Sequence, residues 1–245
     1  MSNITFISCL YKIHDNEFDN IQIMNNHIQH MLNSNLNLIL FVDDYYHHFL
    51  QQFDVRPTVV VIKKHLKDVL IYQSIMDLQS SLQLPYQRNP QKDTCQYMAL
   101  MNSKVEFLHL ACHVVKTDYI GWIDCGIGKI FKDNTTFEKL ANYQITHLNQ
   151  ILIPGCYDIR HISYNDLIQH IYWVFCGGFF ILPIHFCHDF YQLCYKYVKS
   201  CLSKNMIFWE VNLWILIYQD YPHLFCKYVG DHNDSIISIP RHLYV

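Results

Sequence analysis

The sequence predicts a single α/β domain, built on a largely parallel central sheet with helices on both faces. Short continuous apolar runs alternate with longer stretches of helical period, the pattern of strands joined by crossover helices. Several of the runs stop at Asp or Gly, as strands do where the chain turns out of a sheet. Of the 245 residues 51% are hydrophobic and 15% aromatic, enough to bury a sizeable core, and no linker, low-complexity tract or internal repeat divides the chain.

The elements follow in order. Residues 4–10 are a short apolar run suited to a central strand. Residues 18–33 carry Phe18, Ile21, Ile23, Ile28 and Met31 at roughly helical spacing. The run 36–42 is continuous and β-rich, and it ends in Asp43-Asp44. Residues 45–53 read as a helix closed by Arg56-Pro57, and 59–62 as a third strand. The strongest helical stretches are 66–82 and 96–115, the second with Met98, Met101, Val105, Leu108 and Cys112 on one face. Residues 119–123 form a fourth strand ending at Asp124-Cys125-Gly126. Residues 174–182 read as a strand with an internal Gly177-Gly178, before helices near 185–203 and 209–220. The last residues are polar and irregular around Gly230–Asp234.

Charge excludes some functions. Only 16% of residues are charged and the net charge is -3, so no strong field draws polyanions, and nucleic acid is not an expected partner. Residues 167–188 hold no Lys, Arg, Asp or Glu, a length that could cross a bilayer. Gln169, His170, Gly177, Gly178, Pro183, His185 and His188 interrupt it, and its flanks are Asp166 and Asp189, so a buried strand leading into a helix fits better than a transmembrane segment. The opening residues lack the basic and long apolar regions of a signal peptide. The ten cysteines, none in a Cys-x-x-Cys pair, read as reduced in a cytoplasmic compartment. His109/Cys112/His113, and His185/Cys187/His188 with Cys194 and Cys201, are candidate zinc clusters without the paired spacing of a finger. The step 187, 194, 201 puts three thiols on one helix face, which core packing explains better.

In sheets of this kind ligands bind beyond the carboxyl ends of the strands, where Asp43, Asp44 and Asp124 fall. Asp124, after an apolar strand and two residues before a glycine, suits a hard divalent cation bridging phosphate oxygens, and equally a simple turn. Asp43-Asp44 has the same two readings, with the turn favoured. Gly177-Gly178 inside a bulky run needs a close backbone approach, by a ligand or at a bulge. Glu210, at a helix start, is either a general base toward a hydroxyl or a partner of the helix dipole. His232 is a metal ligand or an ordinary loop histidine. Lys104, Arg88 and Arg56 are isolated cations near the ligand edge. P-loop, dinucleotide-fingerprint and nucleophile-elbow motifs are all absent.

Taken in order, these segments resemble the HtrL/YibB family, also called WlaTC, bacterial and viral proteins read as glycosyltransferases. The resemblance rests on Met101-Asn-Ser-Lys104, on Tyr119–Ile127 with its Trp122-Ile-Asp-Cys-Gly-Ile127 element, and on an opening strand like Thr5–Tyr11. Gly177-Gly178-Phe179, Glu210-Val-Asn-Leu213, Pro222-His-Leu-Phe225 and Gly230-Asp231-His232 continue it over nearly the whole chain.

The resemblance implies a GT-A-like glycosyltransferase domain with a Rossmann-like mixed sheet. Residues 1–130 would be its nucleotide-sugar-binding half and 131–245 its acceptor-side half. It implies a hexosyltransferase-like enzyme using a nucleotide-sugar, UDP-sugar favoured, toward a glycan or protein acceptor, with Mn²⁺ or Mg²⁺. Asp124 would stand in the metal-binding Asp-x-Asp and His232 would be the C-terminal metal-binding histidine. Lys104, Trp122, Asp124, Gly126, Gly177, Gly178, Arg88 and Asp43 would face the donor, and Glu210 would be the base or orient the acceptor. Position 126 is Gly, so one aspartate stands where the fold has two, and the donor ribose or sugar is an alternative partner for Asp124. A non-catalytic binding or structural protein on the same fold, and a zinc-binding protein, are the other two readings.

Overall fold

In the computed structural model, residues 3–13, 28–53, 55–133, 135–158 and 161–244 are described. Among them the strands β1 (Ile4–Leu10), β2 (Leu38–Val42), β3 (Val59–Lys63), β4 (Tyr119–Ile123), β5 (Ile151–Gly155), β6 (Phe179–Pro183) and β7 (Phe225–Val229) make one sheet in the order β3-β2-β1-β4-β6-β5-β7. β1 pairs in parallel with β2 and β4, β2 with β3, and β5 with β7. β6 is antiparallel to both β4 and β5. The sheet is therefore mixed, with β6 running against the other strands.

Alternation along the strands divides the core between two faces. Ile7, Cys9, Ile39, Phe41, Ile120, Trp122, Phe180 and Leu182 point to one side. Ile4, Phe6, Leu38, Leu40, Ile123, Phe179 and Ile181 point to the other. The first side is covered by α2 (Leu70–Met76), α3 (Cys95–Asn102), α4 (Lys104–Cys112), α7 (Cys187–Leu202) and α8 (Glu210–Asp220). The second is covered by helical residues 28–32, α1 (Asp44–Leu50) and α5 (Thr135–Ala141), while α6 (Tyr164–Leu167) is a single turn on the first side.

The structure corrects several element boundaries. The stretch 66–82 holds a 3₁₀ turn at Leu66–Asp68 and then α2, because the Glu106 carboxylate accepts from the Leu70 and Ile71 amides at 2.6 and 2.7 Å and so sets the helix start at Leu70. The stretch 96–115 is divided at Ser103. Asn102 Nδ2 and Ser103 Oγ donate back to the Met98 and Ala99 carbonyls at 2.8 and 2.7 Å, which competes with the helical ladder. The strand expected at 174–182 begins only at Phe179, after Gly177-Gly178. β5, β7 and α5 were not expected at all. Of the helix expected at 18–33, residues 18–27 lie outside the described residues, and 28–32 are helical. No helix among the described residues is long and apolar enough to cross a membrane.

Asn212 fixes α8, and with it the site. The side chain is fully buried, donates to the Leu167 and His170 carbonyls at 2.9 Å each, and accepts from the Tyr172 amide at 2.8 Å. Asn212→Ala leaves these backbone groups, the buried Leu167 carbonyl among them, without their partner. It should cost about 3 kcal/mol and lower the melting temperature by roughly 10 °C in calorimetry.

Candidate functional site

Strand direction gathers the site at one edge of the sheet. Asp124 leaves the carboxyl end of β4, Cys156 follows β5, and Gly230–His232 follow β7. Because β6 runs the other way, Gly177-Gly178 reach the same edge from its amino end.

Lys104 forms the floor. The division at Ser103 makes it the first residue of α4, and its side chain is 1% exposed. Nζ donates to Glu210 Oε1 at 2.7 Å and to the Gly177 carbonyl at 2.9 Å, forms an ion pair with Asp124 Oδ1 at 3.0 Å, and lies 5.6 Å from the Trp122 ring centroid. Burial alone would lower the Lys104 pKa, but the Asp124 and Glu210 carboxylates outweigh it and hold the pKa above the ordinary lysine value. The ammonium stays charged because its polar neighbours are a hydrogen-bond-accepting carbonyl and two carboxylates.

Asp124 extends the β4–β6 ladder, its amide donating to the Gly178 carbonyl at 2.9 Å. Oδ1 also accepts from Trp122 Nε1 at 2.6 Å, and 37% of the side chain is exposed. Crowding demands glycine at 177, and space at 178 is close. A Cβ on Gly177 would sit 2.5 Å from Glu210 Oε1, and one on Gly178 would sit 3.3 Å from Asp124 Oδ2. A Cβ on Gly126 would meet nothing within 4 Å. The missing second aspartate is thus a matter of chemistry, since a side chain has room there.

These groups line an open cavity of about 380 Å³. Lys104, Trp122, Asp124, Gly126, Gly177, Gly178, Glu210 and His232 all line it, drawn from both halves of the chain. Two expected residues are not among its lining. Asp43 caps α1, accepting from the Tyr46 and Lys12 amides at 2.8 Å each. Arg88 donates to the Pro85 carbonyl at 3.1 Å. The sequence reading missed Tyr97, Trp173, Trp209, Lys92 and Lys129 in the lining. Two signals could have found some of them. Tyr97 and Met101 share the helical spacing that leads to Lys104, and Trp209 precedes Glu210.

His232 keeps other company. Its Nδ1 lies 3.3 Å from Asp231 Oδ1 and its ring packs edge-on to Trp173, centroids 4.1 Å apart. Cys156, Cys176 and His232 offer one ligand atom each within 4.8 Å of one another. Of the zinc clusters expected from sequence, His109, Cys112 and His113 also meet within 4.8 Å, and the His188 ring lies 5.1 Å from that of His109. Cys187, Cys194 and Cys201 are buried in the core, as the heptad step implied.

Among curated proteins none matches the chain. Solved structures similar to it include mouse xyloside xylosyltransferase 1 in its apo form, at 12% identity over 93% of this chain and 85% of that one, with a TM-score of 0.47. A cytidylyltransferase from Leptospira borgpetersenii is similar at 10% identity, covering 96% and 79%, with a TM-score of 0.47. HddC from Yersinia pseudotuberculosis is similar at 10% identity, covering 76% and 79%, with a TM-score of 0.36. Residues 3–238 match the family model described as "Bacterial protein of unknown function (HtrL_YibB)", and the chain belongs to that family.

Proposed function

We propose that this protein is a glycosyltransferase of GT-A-like fold, moving a sugar from a nucleotide-sugar, UDP-sugar favoured, to a glycan or protein hydroxyl. One observation carries the reading. Asp124, Lys104, Glu210 and the Gly177-Gly178 turn converge on a single cavity at the edge where parallel strands end, the place such sheets use for ligands.

Charge on the cavity floor supports a divalent cation. One buried ammonium faces two carboxylates, so the floor carries an excess of negative charge and would repel a diphosphate by itself. Asp124 Oδ1 is used by Lys104 and Trp122, which leaves Oδ2 as the oxygen for Mn²⁺ or Mg²⁺. Such a cation supplies neutralisation of the charge on a leaving diphosphate. Lys92 and Lys129, also in the lining, suit the outer phosphate oxygens. Trp173 and Trp209 offer flat apolar walls for a base or sugar face.

In the transfer, the acceptor oxygen bonds to the anomeric carbon as the bond from that carbon to the phosphate oxygen breaks. Its proton passes to Glu210, held in place by Lys104 and backed by Gly177. A second reading, a non-catalytic binding protein, draws support from the same geometry. Lys104 occupies one oxygen of each carboxylate, and Gly126 stands where a second acid has room.

A thermal-shift series with UDP, GDP, CMP and UDP-sugars, each with Mn²⁺, Mg²⁺ or EDTA, separates the two. A donor at a hundred times its dissociation constant adds about 2.7 kcal/mol, and roughly 5–10 °C, and the rise should vanish in EDTA. A rise that survives EDTA removes the metal from Asp124, and no rise with any nucleotide favours the second reading once no turnover is found. Glu210→Gln should abolish transfer while donor affinity stays within a few-fold; unchanged turnover removes Glu210 from its role. Gly177→Ala should displace the Glu210 carboxylate from Lys104 and reduce turnover on the order of a hundredfold, read as kcat at saturating donor.

A further inference from the structure

We propose that Cys156, Cys176 and His232 form a binding site for zinc, separate from the hard cation at Asp124, which pins together three loops at the rim of the cavity. The ligands come from different segments. Cys156 follows β5, Cys176 precedes Gly177 and β6, and His232 follows β7, and the mixed sheet delivers all three to one edge.

The spacing suits a tetrahedral ion. Zinc with bonds of about 2.3 Å to sulfur and about 2.0 Å to nitrogen sets ligand-to-ligand edges of roughly 3.3–3.8 Å. The two sulfurs lie 3.6 Å apart, near such an edge and well beyond a disulfide bond. Asp231 Oδ1 lies 3.3 Å from His232 Nδ1, an outer contact of the kind that orients a ligating imidazole. The same oxygen lies 3.3 Å from Cys156 Sγ, and the Trp173 ring confines the imidazole from the side. Two thiols and an imidazole select a borderline-soft ion over Mn²⁺ or Mg²⁺. Three protein ligands leave a fourth position for water.

The site would commit His232 to zinc and leave Asp124 to the hard cation. Zinc bound there would tie the Gly177-Gly178 turn to its neighbours, since Cys176 is the residue before it.

The test uses the full chain, reduced, stripped with a chelator and titrated with zinc against a chromophoric competitor, with no donor present. One zinc per chain should bind, raise the melting temperature, and give way to cobalt with a thiolate-to-metal charge-transfer band. Cys156→Ser and His232→Asn lie at half-buried and exposed loop positions that keep the fold, checked by circular dichroism. Each should weaken zinc by at least the tenfold or so that even an outer contact is worth, and Cys156→Ser should also diminish the cobalt band. Cys112→Ser, in the His109 cluster, should leave binding unchanged. Absence of stoichiometric zinc, binding indifferent to Cys156→Ser and His232→Asn, or binding lost instead in Cys112→Ser, would each overturn the proposal. None of these outcomes depends on the sugar-transfer reading, whose failure shows only in the nucleotide series.

Discussion

An ammonium removed from water must find its hydration shell again inside the protein, and at Lys104 that requirement organises the site. Glu210 Oε1, Asp124 Oδ1 and the Gly177 carbonyl take the places of water, and each belongs to a different part of the chain. Removing one partner of a buried pair typically costs about 3–5 kcal/mol, because the charge left behind has nowhere to go. The start of α8, the end of β4, the turn before β6 and the start of α4 are therefore held at fixed distances by one atom. Glycine at 177 belongs to the same arrangement, since a Cβ there would press on the Glu210 carboxylate.

The reversed strand decides what can meet at this edge. Were β6 parallel to β4, its amino end would lie at the opposite side of the sheet, and Gly177-Gly178 with it. Running antiparallel, it places the double glycine against Asp124 through the last rung of the ladder, from the Asp124 amide to the Gly178 carbonyl. β5 and β7 then add their own carboxyl ends, so one edge collects an acid, a glycine turn, two thiols and a histidine.

Much of the frame was legible because it follows one rule at a time. The runs that became β1, β2 and β4 are continuous and apolar, as strands covered on both faces must be. β5 was hidden by Pro154, which argues against a strand between two others, and β7 by the mixed character of Phe-Cys-Lys-Tyr-Val. The division at Ser103 depends on two side chains bonding backward, which periodicity does not register. Among candidate site residues, Asp124, Gly126, Gly177 and Gly178 are marked by local chemistry, at a strand end or in a glycine pair, and all line the same cavity. Asp43 looked the same locally and serves as a helix cap instead. The company of His232 was invisible, because Cys156 and Cys176 join it only through the order of strands in the sheet.

Sequence distance within the Lys104 cluster has a consequence for how the chain acquires its structure. The ammonium and Glu210 are separated by 106 residues, and Lys104 and Gly177 by 73. Closing such loops costs entropy that only the completed contacts repay. The lysine can be buried only when α8 docks and brings its counter-charge. Completion of the cavity and completion of the core on this face are thus one event: a chain with α8 undocked has no counter-charge for Lys104 and therefore no site.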